Sequence, residues 1–209
     1  MATGIIGIIL AGGLSRRMGG GAKALMPLAG RPMVAHVIGR IAPYVDACVL
    51  NVNGDASAFA QFGLPIVADS FGDYAGPLAG LLSGMRWAAE HRLEARWVVT
   101  APCDTPLLPE NYVDALAAEG PDGATVVIAA SGGREHFASG LWPVALADEL
   151  AAFLASGERR IQSWIERNPN KTLTFPLIDD GRGGVDPFFN VNTPEELAMA
   201  ERFASERPL

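Results

Sequence analysis

Five short apolar runs constrain the fold of this chain more than any other feature. They read IIGIIL, ACVLNV, PIVA, RWVVTA and TVVIAA, and together they span residues 5–130. Each is too continuously apolar for a strand with one face in water, and its length suits a strand that is covered on both faces. The sequence therefore predicts a set of buried parallel strands.

Segments with helical spacing separate or follow these runs. Three carry a proline at or near the first turn, where proline is favoured, and they read PMVAHVIGRIA, PLAGLLSGMRWAAEHR and PENYVDALAAE. Further helices are predicted near 145–155, near 159–167 and over TPEELAMAERF. The alternation of strand and helix predicts an α/β protein, a three-layer αβα sandwich of Rossmann-like type with a mostly parallel sheet. In this architecture ligands bind beyond the carboxyl ends of the strands.

Length and composition favour one domain. With 209 residues, 49% of them hydrophobic, the chain can bury a substantial core, so we interpret residues 1–209 as a single domain. No apolar run approaches the roughly eighteen residues that cross a bilayer, and GIIGIIL is too short for a signal peptide, so we expect a cytoplasmic protein. Cys48 and Cys103 are expected to be small buried residues rather than a disulfide.

The distribution of charge indicates a small anionic ligand. The net charge of −7 argues against a nucleic-acid-binding or membrane-surface protein, because both need a basic face. Residues 1–45 nevertheless contain no Asp or Glu, and their basic side chains are Arg16, Arg17, Lys23, Arg31 and Arg40. A local positive field of this kind favours the docking of a small anion.

The glycine-rich segment LAGGLSRRMGGGAK follows the first predicted strand at its carboxyl end. Glycine lets backbone N–H groups approach a phosphate closely, and Arg and Lys add full charges. The segment is not a Walker A loop, because Ala22 precedes Lys23 and Ala24 follows it. GGGAKA begins about nine residues past the strand, which is too late for a dinucleotide-binding turn. A phosphate-binding loop and a flexible surface loop are the two interpretations that remain.

Polar residues end three further predicted strands at the same edge of the sheet. Asp104 follows RWVVTAPC, and Asn51 and Asp69 stand at the carboxyl ends of the second and third predicted strands, ACVLN and PIVAD. Because Mg²⁺ prefers one or two carboxylates together with phosphate oxygens, Asp104 beside a cationic loop indicates a magnesium site. Alternatively, Asp104 or Thr105 caps the helix near Pro109, and the other two are turn residues. Their common edge favours a nucleotide pocket.

Seven motifs occur in order over most of the chain. They are LAGGLSRRMGGGAK, NVN, VADS, DYAGPLAGLLSGM, PCDTPLLP, GERR and FFNVNTPEEL. The set resembles the molybdenum cofactor guanylyltransferase family, of the nucleotidyltransferase superfamily. The resemblance implies a nucleotidyltransferase fold and a transferase with Mg²⁺ as cofactor. Its substrates would be GTP and molybdopterin, whose terminal phosphate attacks the α-phosphate of GTP and releases pyrophosphate.

The resemblance also implies roles for individual residues. Those that would hold GTP are Leu10, Ala11, Gly12, Gly13, Lys23, Asn51, Asp69 and Asp104. Those that would be catalytic are Arg17, Lys23 and Asp104, with Asp104 binding Mg²⁺. Those that would lie near the pterin are Arg159, Asn190 and Asn192. Residues 1–110 would then form a nucleotide-binding half and residues 111–209 a pterin half. Transient protein partners would be a molybdenum-insertion protein and recipient apo-molybdoenzymes.

The sequence departs from the family pattern at two positions. Ala22 stands where an Asp usually precedes the loop lysine. The missing carboxylate would affect the catalytic rate or the number of metal ions bound. Phe137 stands where Pro is expected after the histidine, so His136 is not assigned to the substrate. His36 and His91 lie within predicted helices, where we expect packed or solvated side chains.

Other functions fit part of the pattern. A cytidylyltransferase that acts on the same pterin tends to carry LAAG where this chain has LAGG, and sugar-nucleotide pyrophosphorylases generally carry a longer loop with proline before its lysine. A non-catalytic nucleotide-binding subunit that presents the cofactor to another protein is a more distant alternative, which Ala22 leaves open. Turnover with each nucleotide would separate these functions.

Overall fold

The computed structural model describes residues 4–12, 23–71, 76–120 and 123–206, so Gly13, Arg17 and most of the glycine-rich loop lie outside the described residues. The strands are β1 (Ile5–Leu10), β2 (Pro27–Leu28), β3 (Arg31–Pro32), β4 (Ala47–Asn51), β5 (Ile66–Val67), β6 (Trp97–Pro102), β7 (Val126–Ser131), β8 (Arg134–Pro143) and β9 (Asn170–Thr174). The α-helices are α1 (Met33–Ile41), α2 (Pro77–His91), α3 (Tyr112–Glu119), α4 (Ala147–Ala155), α5 (Ile161–Ile165) and α6 (Pro194–Glu206).

Seven of the described strands form one sheet in the order β5–β4–β1–β6–β8–β7–β9. β1 pairs in parallel with β4 and with β6, β4 pairs in parallel with β5, and β7 pairs in parallel with β9. β8 is antiparallel to both of its neighbours, β6 and β7. The prediction of a mostly parallel sheet is therefore confirmed, with one reversed strand inside it.

Helices cover both faces of this sheet. Successive side chains of a strand point to opposite faces, so Ile5 and Ile9 join one apolar cluster while Ile6 and Ile8 join the other. The first cluster includes residues of α1 and α3, and the second includes residues of α2, α4 and α5. Because both faces of β1 are buried, its sequence is apolar without alternation. The predicted three-layer arrangement is confirmed.

Four strands in the described residues were not anticipated by the sequence pattern. β8 begins with two exposed residues and ends with five buried ones, so neither alternation nor a continuous apolar run marks it. Gly140 within β8 lies so close to β7 that a Cβ built there would be 2.6 Å from the Val127 carbonyl oxygen. The edge strand β9 is half-buried and polar, and β2 and β3 form a short separate hairpin.

Two element predictions need correction. The PIVA run was expected to form a strand that is buried on both faces, but only Ile66–Val67 form β5, and both residues are half-buried. They lie at the edge of the sheet, where one flank has no neighbouring strand in the described structure. The helix expected near 159–167 is limited to the five residues of α5.

The two cysteines agree with expectation. Cys48 and Cys103 are free and buried, and burial raises the pKa of each thiol to about 12. Both therefore remain as packed, protonated thiols near neutral pH. Within the described ranges, no helix combines the length and apolar character that crossing a membrane requires.

Candidate active site

The carboxyl ends of β1, β4 and β6 lie side by side. Leu10 at the end of β1 is level with Asn51 on β4 and with Pro102 on β6. Beyond the strands, the Ala11 N–H donates to the Asn51 carbonyl at 2.8 Å, and the Cys103 N–H donates to the Leu10 carbonyl at 3.0 Å. The structure thus brings the start of the glycine-rich loop next to the segments that contain Asn51 and Asp104.

Lys23 joins three distant parts of the chain at this edge. Its Nζ donates to Asp104 Oδ2 at 2.5 Å and to Asn192 Oδ1 at 2.6 Å. The side chains of Lys23 and Asp104 are only 14% and 16% exposed, so the pair is largely shielded from water. Asn192 was predicted to lie near the pterin, and the structure places it on the lysine. These three side chains are called the lysine cluster below.

The second oxygen of Asp104 differs from the first in its surroundings. Asp104 Oδ1 is buried and has no hydrogen-bond partner among the described residues. Burying an unpaired carboxylate oxygen is costly, and a bound cation would remove that cost. No group of three or more His, Cys, Asp or Glu that could hold a metal occurs in the described ranges. The donor set therefore fits Mg²⁺ held by one carboxylate, with further oxygens from a triphosphate and water.

The alternative role of Asp104 as a helix cap is wrong. α3 begins at Tyr112 with Asn111 at its N-cap position, and no side chain in the described ranges caps it with a hydrogen bond. Thr105 does not cap it either, since its Oγ1 donates to the Pro102 carbonyl at 2.8 Å. Asp104 is therefore available for the lysine and for a cation.

A capping box holds Asn192 against Lys23. Glu196 Oε2 accepts from the N–H groups of Asn192 at 2.6 Å and Thr193 at 2.9 Å, and the Glu196 N–H donates to Thr193 Oγ1 at 3.2 Å. The Val191 N–H also donates to the Asp104 carbonyl at 2.9 Å. Glu196 was not among the predicted site residues, although Thr three positions before Glu is a recognisable capping signal.

Asn51, Asn53 and Asp69 form a second cluster, called the amide cluster below. Asn51 Nδ2 donates to Asp69 Oδ1 at 2.8 Å, and Asn53 Nδ2 donates to Asp69 Oδ2 at 2.7 Å. The Asp69 N–H donates back to Asn53 Oδ1 at 2.9 Å. Sequence reasoning missed Asn53. Its signal is the NVN spacing, because residues two apart in an extended chain lie on one face.

Two glycines allow the backbone to approach the amide cluster. A Cβ at Gly12 would lie 2.5 Å from Asn53 Nδ2, and a Cβ at Gly80 of α2 would overlap Asn51 Oδ1. Larger residues at either position would displace an amide that contacts Asp69. Gly12 therefore has a packing role here in addition to the nucleotide contact predicted for it.

The other two residues assigned to the pterin are exposed. The exposed Arg159 donates from Nη1 to the Leu154 and Glu158 carbonyls, each at 2.7 Å. Its guanidinium lies 5.6 Å from the centre of the Phe71 ring, two residues beyond Asp69. Asn190 is exposed, two residues before Asn192. Their contact with a pterin stays a prediction.

His136 belongs to a polar group that fixes the segment leading to Asn192. His136 Nε2 lies 2.7 Å from Ser131 Oγ, which donates to Asp186 Oδ1 at 2.5 Å. Asp186 Oδ1 also accepts from the Phe188 N–H at 2.8 Å, and the His136 ring stacks on Phe188 at 4.6 Å. Burial lowers the pKa of His136, with Arg134 acting in the same direction and Asp186 against it.

The other two histidines are packed or solvated, as expected. His36 is buried, with Nε2 at 2.8 Å from the Leu28 carbonyl, and burial lowers its pKa. His91 is exposed at the end of α2 and stacks on Trp87.

Comparison with known proteins decides the family. Residues 7–172 match the model of the MobA-like NTP transferase domain. A molybdenum cofactor guanylyltransferase of Rhodopseudomonas palustris (strain BisB5) is 45% identical over 94% of this chain and 92% of its own length. The chain belongs to the molybdenum cofactor guanylyltransferase family. Another guanylyltransferase, from Bradyrhizobium sp. (strain ORS 278), is 44% identical over 97% of this chain and 94% of its own length.

Solved structures confirm the fold of this guanylyltransferase family. Molybdopterin-guanine dinucleotide biosynthesis protein A from Archaeoglobus fulgidus superposes with a TM-score of 0.72 and 23% identity, over 97% of this chain and 99% of that one. A nucleotidyl transferase from Methanothermobacter thermautotrophicus gives a TM-score of 0.72 and 18% identity, over 99% and 100% of the two chains. The architecture is that of a nucleotidyltransferase, as the sequence predicted.

Proposed function

We propose that this protein transfers GMP from Mg²⁺-bound GTP to molybdopterin and forms the guanine dinucleotide form of the cofactor. A terminal phosphate oxygen of molybdopterin forms a bond to the α-phosphorus of GTP, and the bond from that phosphorus to the bridging oxygen of the β-phosphate breaks. Pyrophosphate leaves with the electron pair of that bond. The observation that carries the proposal is the lysine cluster, at the edge where the glycine-rich loop begins. There a shielded cation meets a carboxylate, one oxygen of which has no hydrogen-bond partner among the described residues.

The chemistry requires positive charge more than a base. The attacking phosphate oxygen is already negative near neutral pH, so no side chain needs to remove a proton, and the barrier is repulsion between two anions. Lys23 supplies a cation whose position is fixed by Asp104 and Asn192. A preorganised charge in a shielded site stabilises developing charge more strongly than the same charge in water. In this proposal Lys23 neutralises phosphate oxygens of GTP, with Arg17 assisting from the loop.

Asp104 would hold the magnesium ion through Oδ1. When bound, Mg²⁺ supplies charge neutralisation for the phosphate oxygens and a fixed orientation of the triphosphate. Asp104 itself keeps Lys23 in place through Oδ2. One carboxylate thus serves both the lysine and the ion.

The amide cluster supports guanine as the base. A carboxylate offers only acceptors, and guanine presents two adjacent donors on its Watson–Crick edge, N1–H and the N2 amino group. Cytosine and adenine each present a ring acceptor beside their amino group, so a carboxylate suits them less. Asp69, held by Asn51 and Asn53, has the chemistry to accept from guanine. A cytidylyltransferase is therefore the less favoured alternative.

A pyrophosphate-release assay tests the proposal. The full-length protein, Mg²⁺ and molybdopterin are combined separately with GTP, CTP, ATP and UTP. We expect turnover with GTP and little with the other three. Turnover with CTP alone would establish the cytidylyl alternative, and tight GTP binding without any pyrophosphate would establish a non-catalytic subunit. The same proposal places the reaction in the cytoplasm, with transient delivery to a molybdenum-insertion protein and apo-molybdoenzymes.

A further inference from the structure

Asn53 contacts Asp69 at two points. Its Nδ2 donates to the carboxylate at 2.7 Å, and its Oδ1 accepts from the Asp69 backbone N–H at 2.9 Å. One side chain therefore ties together the backbone and the carboxylate of Asp69. Asn51 contacts Asp69 through its Nδ2, which donates to the other carboxylate oxygen. Both amides thus set the rotation of the Asp69 carboxylate, and Asn53 also binds the backbone N–H of Asp69 itself.

Asn53 is itself held in place on both sides. The preceding residue, Val52, is buried and donates its N–H to the Val67 carbonyl at 3.0 Å, which extends the pairing of β4 with the β5 segment. On the other side, Gly12 approaches so closely that a Cβ there would lie 2.5 Å from Asn53 Nδ2. Asn53 therefore links the start of the glycine-rich loop to Asp69.

We propose that Asn53 is a positioning residue for base specificity: it holds the Asp69 carboxylate so that both oxygens meet the two donors of guanine together. The inference rests on the proposed function, because it takes Asp69 as the residue that contacts the base. Two parallel hydrogen bonds require a fixed plane for the carboxylate, whereas one bond tolerates rotation. Without Asn53, Asp69 keeps an acceptor for the base but loses the orientation that serves the second donor.

Binding of GTP and ITP to the full-length protein with Mg²⁺, measured by calorimetry, tests this inference. ITP lacks the N2 amino group and is otherwise the same as GTP. We expect the parent to bind GTP about tenfold or more tightly than ITP, the scale of one hydrogen bond to a charged acceptor. Asn53→Ala should reduce this preference to near unity by weakening GTP much more than ITP.

A double-mutant cycle shows whether Asn53 acts through Asp69. Asp69→Ala should also abolish the preference, and adding Asn53→Ala to it should cause no further change in the ratio. The matched control is Asn170→Ala, an amide on the opposite edge strand β9 that donates to the Ile165 and Asn168 carbonyls. It should leave the GTP-to-ITP ratio at the parent value. Asn53→Ser provides a second variant with the same expected loss if the alanine variant folds poorly.

Three results would overturn the inference. The first is a parent protein that binds GTP and ITP equally tightly. The second is an Asn53→Ala protein that keeps the parent GTP-to-ITP ratio while Asp69→Ala loses it. The third is an Asn53→Ala protein that loses the same affinity for both nucleotides and unfolds at a lower temperature. The proposed function fails separately, through the absence of pyrophosphate release. A protein that prefers GTP to ITP but transfers nothing would contradict the proposed function and leave the role of Asn53 intact.

Discussion

The lysine cluster and the amide cluster each contain one aspartate at the same edge of the sheet, yet their surroundings differ. Asp104 contacts a cation through one oxygen, and its other oxygen is buried without a partner in the described structure. Asp69 is held through both oxygens by neutral amides. The neighbours of each carboxylate therefore decide which ligand it suits. The surroundings of Asp104 suit a metal ion and phosphates, and those of Asp69 suit the hydrogen-bond donors of a base.

The two clusters also differ in how the chain assembles them. Lys23 is 81 residues from Asp104 and 169 residues from Asn192. Asp69 is 18 residues from Asn51 and 16 from Asn53. The lysine cluster therefore depends on the docking of the carboxyl-terminal segment, whereas the amide cluster depends on the pairing of β4 with β5. Four measurements test whether the two clusters have these different roles.

The largest effect is expected from removing the charges of the lysine cluster. Asp104→Ala and Lys23→Ala should each lower kcat on the order of 10²-fold or more, the typical loss for one preorganised electrostatic group. Pyrophosphate release at saturating GTP, Mg²⁺ and molybdopterin measures this. The matched control is Glu110→Ala, which removes a surface ion pair with Arg40. The Glu110 side chain is 78% exposed, so its loss should leave kcat unchanged. Parent-like turnover by either cluster variant would refute the assigned role.

A smaller effect is expected from Asn192→Ala. The variant removes one acceptor from Lys23, so we expect kcat to fall about tenfold, the scale of one hydrogen bond to a charged group. The KM for molybdopterin separates two roles for this residue. An unchanged KM indicates that Asn192 acts through Lys23, whereas a raised KM with unchanged kcat would instead support the pterin contact predicted from the sequence.

Two glycines of α2 provide a matched pair for the amide cluster. A Cβ at Gly80 would overlap Asn51 Oδ1, whereas a Cβ at Gly84, one turn later, would lie 2.5 Å from Ile8 Cδ1 in the core. Both alanine variants should lose roughly 1–3 kcal/mol of unfolding free energy through overpacking. Gly80→Ala should in addition raise the KM for GTP several-fold, and Gly84→Ala should not. Equal KM values for the two variants would contradict the link between Asn51 and the nucleotide.

The smallest effect concerns the pH dependence of stability. Burial lowers the pKa of His36 and of His136, so the unfolded chain binds more protons than the folded chain just below the ordinary histidine pKa of 6.5. The stabilisation from the two neutral histidines should be fully present above pH 6.5. It should decline as the pH falls from 6.5 toward the lowered pKa values of the folded protein. Urea unfolding at pH 7.5 and pH 5.5 checks the sign.

The groups near these histidines define the control for that measurement. Arg31, Arg40 and Glu201 influence His36, and Asp186 and Arg134 influence His136. The double variant His36→Gln/His136→Gln should flatten the decline between the two pH values. An undiminished decline in that variant would show that other groups cause it.

Much of the fold was predictable because it is encoded locally. Continuous apolar runs marked β1, β4, β6 and β7, and proline at the first turn marked α2. β8 was missed because it is exposed at one end and buried at the other, so its residues follow no single period. β9 was missed because an edge strand needs few apolar side chains.

Part of the candidate site could likewise be predicted from the sequence, and part could not. Asp104 and Asn51 could be placed together from sequence because the carboxyl ends of parallel strands share one edge of a sheet. The contact of Asn192 with Lys23 could not, since no periodicity relates residues that are 169 positions apart. Asn53 could have been predicted as well, because residues two apart in an extended segment lie on one face and Asn51 was already assigned to the site.

The layered α/β architecture and the polar residues at the ends of its strands could be derived from the amino-acid sequence, because an apolar strand and the residue that follows it are encoded within a few neighbouring positions. The antiparallel position of β8 between β6 and β7, and the contact of Lys23 with both Asp104 and Asn192, became known from the folded structure alone. Those arrangements depend on which distant surfaces pack together. Packing is decided by the shape and charge of the whole folded chain, which no local pattern contains.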